Sequence, residues 1–301
     1  MTEIADTELL LAPRRVLPRL KMPSLASGDW LVTAALLLGL VLLALALLAP
    51  LVSPFEPDHQ RLLARLKPPA GFAGAGPAHW LGTDQLGRDL LSRCLHGLRL
   101  TLALALFGTL LGLTLGAALG LAAGLMRGWA DALIMGLTDI MMSLPFTLVA
   151  LFVVALAGTD VTVLICVLGI AYWALFARLI RAQVLSLREM PFVEAARAAG
   201  AGPWRIATVH MIPNLISPVV VMASLNFSNL ILLESALSFL GLGVQPPTAT
   251  LGSMVGQGRD YMASAPWIVA VPALFIVLVS LVAMLLGDAL RDRLDPRLHR
   301  R

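Results

Sequence analysis

Charge is what this 301-residue sequence has least of: 13% of its residues are Asp, Glu, Lys or Arg, where soluble domains carry about a quarter. Lysine is nearly missing. Only Lys21 and Lys67 occur, neither preceded by glycine, so the chain lacks the Gly-x-x-x-x-Gly-Lys-Ser/Thr loop that usually cradles phosphates. The two cysteines, Cys94 and Cys166, lie far apart, and the five histidines are scattered singly, which excludes the spacings of ordinary metal or redox motifs. No His-Glu-x-x-His or Ser/Lys pair appears at membrane depth, which argues against an embedded enzyme. The formal charge of +4 does not point to nucleic acid, because the arginines flank apolar segments rather than forming one basic face.

What the sequence does have is apolar length. Hydrophobic residues make up 58% of the chain and mean hydropathy is +0.87, which is the class of a polytopic, all-α membrane protein. A span takes about 20 apolar residues. Six segments qualify: 30–49, 100–125, 132–157, 161–177, 215–233 and 267–286. The first begins too late and runs too long for a cleaved signal peptide. Lys and Arg then give the orientation. With the N-terminus inside, fifteen lie on inner segments and seven on outer ones, which predicts both termini on the cytoplasmic side. The expected organisation is a cytoplasmic segment 1–29, a membrane domain 30–290 and a tail 291–301. The weak point is the first outer loop. There Arg88, Arg93 and Arg99 crowd the second span together with Asp84 and Asp89, a pattern that reads as a short amphipathic helix on the membrane surface.

The second span carries Gly108, Gly112, Gly116, Gly120 and Gly124. Glycines spaced by four form a slowly drifting stripe along a helix. In lipid, close backbone approach holds helices together, and small residues permit it. The stripe therefore predicts a helix deep in the bundle with a partner along most of its length. Intramembrane acids are costly and face a bundle or cavity. Asp139 is accordingly a candidate for the pathway or a gate, with a structural hydrogen bond as the competing reading. Glu234, at the outer end of the fifth span, is an interfacial candidate for an outer gate or receptor contact. Asp288, with Arg291, Asp292 and Arg293, reads as a solvated cluster after the last span.

The stretch EAARAAGAGPWRIATVHMIPN (194–214) is the longest non-greasy reach of the second half. Glu194 through Ala199 is a strong helix former. Gly200 or Gly202 suits a left-handed cap, and Pro203 suits the first turn of a following helix. Pro213 marks a break before the fifth span. Two short helices joined by a hinge follow from this. Four alanines make the first one thin enough for a partner's groove, and Glu194 sits where the helix dipole favours an acid.

Glu194-Ala-Ala-x-x-x-Gly200, followed by His210-Met-Ile-Pro213-Asn214, closely resembles the "EAA" signature of ABC-importer permease subunits, most of all the dipeptide/oligopeptide/nickel subfamily. LGTDQLGRDLLSR (81–93), REMPFVEAARAAGA (188–201), ESALSFLGLGVQPP (234–247) and LLGDALRDRLDPR (285–297) resemble that subfamily in the same order. His210 stands where the general signature has isoleucine, and Ile212 replaces its usual leucine. Residues 1–29 and 60–78 resemble nothing usable. The resemblance implies a type I ABC-importer permease fold in a bacterial inner membrane, with 186–213 as the coupling region. Glu194, Ala195, Ala196, Arg197 and Gly200 would then engage an ATPase subunit. It implies as partners a second, similar permease subunit, two ATP-binding subunits and an extracytoplasmic solute-binding protein. ATP and magnesium would sit on those partners, leaving no cofactor and no catalysis on this chain. The cargo class it implies is di- or oligopeptides or a related small solute. The alternative, an ion-coupled secondary transporter using Asp139 or Glu234, predicts internal repeats with paired broken helices, and no convincing repeat appears.

Overall fold

The computed structural model describes residues 30–294; the segment 1–29 and the end of the tail lie outside the described residues. Within them every regular element is a helix, and one isolated bridge, Thr83–Asp89, lies in the irregular segment before residue 90. Helix α1 (Trp30–Leu47) is followed by the single turn α2 (Ala49–Val52) and an irregular segment with one 3-10 turn, Leu62–Ala64. Then come α3 (Leu90–Met126), α4 (Gly128–Ser143), α5 (Phe146–Ala157) and α6 (Val161–Arg188). The short α7 (Pro191–Ala198) and α8 (Pro203–Arg205) lead through a π-helical turn, Ile206–Met211, into α9 (Ile212–Phe239). Finally α10 (Leu251–Gly258) and α11 (Trp267–Leu294) close the chain. Five helical runs are long and apolar enough to cross a membrane, and the α4–α5 pair brings the number to as many as six.

That pair replaces the single span expected over 132–157. Its two helices meet at 93°. Leu144 and Pro145 at the corner are both extended. Proline lacks the N–H that would continue the ladder, and it pushes the preceding residue out of the helical region. Pro218 and Pro272 stay inside α9 and α11.

The axis of the bundle is α3 against α6, the most extensive helix pair. Their contacts advance together, with Gly108 on Leu168, Gly116 on Phe176 and Gly124 on Val184, so the two helices run parallel. The five stripe glycines are all buried. A Cβ placed on Gly116 would stand 2.5 Å from Trp173 O, and one on Gly120 2.5 Å from Ala177 O. α6 returns the fit at Gly169, whose Cβ would meet the Leu111 side chain at 2.6 Å. Hydrogen there lets the backbones approach where any side chain would wedge them apart. α9 and α11 pack beside this pair, and α10 lies across α9 and α11.

The helices overrun the hydropathy windows at their ends. α3 begins at Leu90 rather than 100, α6 continues to Arg188, and α11 carries Asp288 through Arg293 inside the helix. The segment before α3 is not an amphipathic surface helix. It folds as a compact cap on a buried polar network. Asp84 is 3% exposed and takes four donors. Its Oδ1 accepts from the backbone N–H of Leu86 at 2.9 Å and of Arg88 at 3.0 Å. Its Oδ2 accepts from Arg88 Nε at 2.6 Å and Arg93 Nη1 at 2.7 Å. Asp89 caps α3 through Ser92 N at 2.8 Å and also meets His79 Nδ1 at 2.9 Å. The cap is tied to α11 by Trp267 Nε1 donating to Thr83 O. These arginines look interfacial in sequence because their partners are visible only once the chain folds.

Candidate functional site: the α7 face and the charges beside it

At the opposite end of α3, about 55 Å away at 1.5 Å per residue, lies α7. Pro191 starts it at the first helical position. Gly200, at φ +82°, ends it. The N–H of Ala201 reaches Ala196 O at 3.0 Å and that of Gly200 reaches Arg197 O at 2.9 Å, the paired bonds of a Schellman cap. A single side chain anchors the helix. Val193 is fully buried in a small second core with Ile180, Val184, Ile206, Met211 and Leu215. Glu194, Ala195, Arg197 and Gly200 are exposed, and Ala196 is half-buried. The result is a thin, slightly charged rod, pinned from below and bare above. A Cβ on Gly200 meets no atom within 4 Å, so glycine is there for its backbone and not for space.

Pro213 does not break the chain. The helix is continuous from Ile206 to Phe239. The wide π turn precedes Pro213, which sits in the first turn of α9 where its missing N–H costs least. Asn214 Nδ2 donates to His210 O at 2.6 Å, satisfying a carbonyl at that turn. The expected pair of hinged helices is thus one short helix, α7, and an extension of the spanning α9.

Two acids of α4 face two arginines of α6. Asp131 takes Arg181 in a fork, at 2.5 Å from Nε and 2.7 Å from Nη2. Asp139 takes Arg178 Nη2 at 2.6 Å, with both side chains substantially exposed. Sequence reasoning singled out Asp139 and missed Arg178, Arg181 and Asp131; the signal available was two Asp and two Arg on helices flanking the same turn of chain. Arg188 Nη1 bonds Gly124 O at 2.9 Å and Leu125 O at 3.1 Å, satisfying end carbonyls of α3 and lashing it to the base of α7.

Glu234 is corrected by the structure. It was expected to be interfacial, yet it is 1% exposed. α10 folds back over it, and Ser238 Oγ donates to its Oε1 at 2.7 Å. The hydroxyls of Thr101, Ser235 and Thr250 cluster round the same carboxyl. Thr101 Oγ1 in turn accepts from Leu251 N at 3.2 Å, so α3, α9 and α10 meet at this nest. The carboxyl sits inside the subunit. No grouping of His, Cys, Asp or Glu fit to hold a metal occurs among the described residues.

Comparisons with known proteins say what this long-helix membrane bundle is similar to. Residues 116–300 match the family described as "Binding-protein-dependent transport system inner membrane component". The chain belongs to that family, as a permease subunit of the ABC-importer type. It is 44% identical over 263 residues, 87% of each chain, to the di/tripeptide transport system permease of Pseudomonas aeruginosa strain UCBPP-PA14. It is 39% identical over 298 residues to the dipeptide transport system permease of Escherichia coli K12, covering 99% of both. A glutathione transport system permease of Pectobacterium atrosepticum is 40% identical over 265 residues, 88% of this chain and 86% of that one. The fold is shared with the inward-facing MetNI methionine ABC transporter, at a TM-score of 0.55 and 20% identity over 67% of this chain and 96% of the other. An amino acid ABC transporter gives a TM-score of 0.53 at 18% identity, over 66% and 93%.

Proposed function

We propose that this chain forms half of the translocation pore of a peptide importer, with α7 as the helix through which partner ATPase subunits drive it. The cargo class follows from relatives named for dipeptides, tripeptides and the tripeptide glutathione. The observation that carries the mechanical reading is the build of α7. It is stiff, thin, closed by a Schellman cap, and rooted through Val193 in the core shared by α6 and α9. A push on such a rod moves as a rigid body into two spanning helices, and a bundle with two stable arrangements converts that push into alternating access. ATP binding on the partners draws the coupling helices together and opens the pore to the receptor side; hydrolysis resets it. On this reading the α7 end is cytoplasmic, the Asp84 cap faces the solute-binding protein, and a second, similar permease subunit completes the pore. Nucleotide and magnesium belong to the ATPase subunits.

Asp139 and Arg178 then lie at the inner part of the pathway. An exposed ion pair on spanning helices is expensive against lipid, so it faces water or the partner subunit. The test is Glu194→Lys combined with Gly200→Val. Uptake is lost while the receptor still captures solute; surviving uptake removes the coupling role.

A further inference from the structure

Beneath α7, at the level where α3 and α6 end, is a cleft of about 360 Å³. Its floor is apolar, made by Leu125, Ile206 and Met211, and its rim carries Arg188, Arg197 and Trp204. Trp204 is 81% exposed. The charges of Arg197 and Arg127 both bear on Arg188. Among the described residues, neither Arg127, Arg188 nor Arg197 pairs with an acid. Asp131, which feels the charge of Arg127, is already held by both arms of Arg181. Glu189 and Glu194 are exposed and form no ion pair.

Two like charges, Arg188 and Arg197, line this cleft, and Arg127 adds to the positive field on Arg188; an anion between them would relieve the repulsion, but an anion alone would not fill an apolar floor. We infer that this cleft binds the phosphate headgroup of an anionic phospholipid from the inner leaflet, with the glycerol and upper acyl chain on Leu125, Ile206 and Met211. The inference rests on the α7 end being cytoplasmic, as proposed above. Basic recesses between spanning helices on that side suit acidic headgroups, and a tryptophan at the rim belongs at the membrane–water boundary. Because the occupant would touch Arg197 on α7, Arg188 at its base and Met211 in the π turn, it would brace the coupling helix against the bundle.

The chain has six tryptophans, so Trp204 is isolated as the difference between the wild type and Trp204→Phe. The assembled importer is placed in nanodiscs of phosphatidylcholine. Part of the lipid is replaced by dibrominated phosphatidylglycerol or, in parallel, by dibrominated phosphatidylcholine. At equal mole fraction the anionic lipid should quench Trp204 more strongly. Arg197→Gln should cut that preference by about fivefold, the value of one arginine at a charged surface, while Arg197→Lys should keep most of it. Equal quenching by both lipids overturns the proposal. So does quenching that is present for the isolated permease and lost on adding ATPase subunits, which would make an acidic protein surface the occupant. Relief of quenching by millimolar inorganic phosphate would assign the cleft to the free ion and overturn the lipid. The readout involves no transport, so its failure leaves the importer reading standing, and a failed uptake test leaves the lipid measurement standing.

Discussion

The two ends of α3 are built on opposite terms. At its start, charge is buried and paired: Asp84 and Asp89 bond Arg88, Arg93, Ser92 and His79, with only Arg93 Nε and Nη2 of that network left without a partner, and the cap is locked to α11. At the far end, α7 hangs from one buried valine with its charges bare, and among the described residues Arg127, Arg188 and Arg197 have no acidic partner. Such a network resists change, because Asp84 alone holds two arginines and two backbone N–H groups. A lightly rooted helix with open valences is what a surface made for a moving partner requires. On the proposed reading, the difference separates a fixed end of the bundle from a driven one.

Substitutions should break the two ends differently. The largest effect is expected at Asp84→Asn, which leaves Arg88 and Arg93 buried without a carboxylate; losing one partner of such a group costs about 3–5 kcal/mol. Thermal unfolding in detergent should show a destabilised or unrecoverable protein. Next is Gly116→Val, which drives a side chain into Trp173 O and Phe176; overpacking costs about 1–3 kcal/mol. It should lower the melting temperature and the yield of monodisperse protein. Gly200→Val alone places a branched residue at φ +82°, for about 1–2 kcal/mol. That strain falls on α7, so bundle melting should move little while uptake drops. Smallest in stability is Asp139→Asn, since exposed ion pairs contribute about 0–1 kcal/mol. Its melting curve should overlay the wild type, yet its uptake rate should fall if the pair with Arg178 lines the pathway. Unchanged uptake would move that pair out of the pathway. If Asp84→Asn proves milder than Gly200→Val in melting, the contrast between the two ends is wrong.

What the sequence made legible follows the same divide. Apolar length located the spanning helices, because lipid demands it residue by residue. The ends of those helices were misjudged wherever a charge had a distant partner. Arg93 looked like a loop residue but is 2% exposed against Asp84. Arg178 and Arg181 fall just past the span expected over 161–177, yet they lie within α6 and pair with α4 across a gap of 39 and 50 residues. Pro145, inside the span expected over 132–157, and Pro213, expected to mark a break, exchange those roles. The first stands where the chain turns by 93°, and the second sits in a first helical turn behind a π bulge. Glu234 looked accessible because α10, which covers it, starts 17 residues later, at Leu251. The cap of α7 at Gly200 was readable because it depends only on local backbone chemistry.

The most direct measurement is site-specific photo-cross-linking in the assembled importer, with the probe at Ala195 on α7 and, as the contrast, at Leu63, which is wholly exposed on the cap. The account predicts that Ala195 captures an ATPase subunit, more strongly with ATP bound, and that Leu63 does not. Capture of the ATPase from Leu63, or of the solute-binding protein from Ala195, would contradict it.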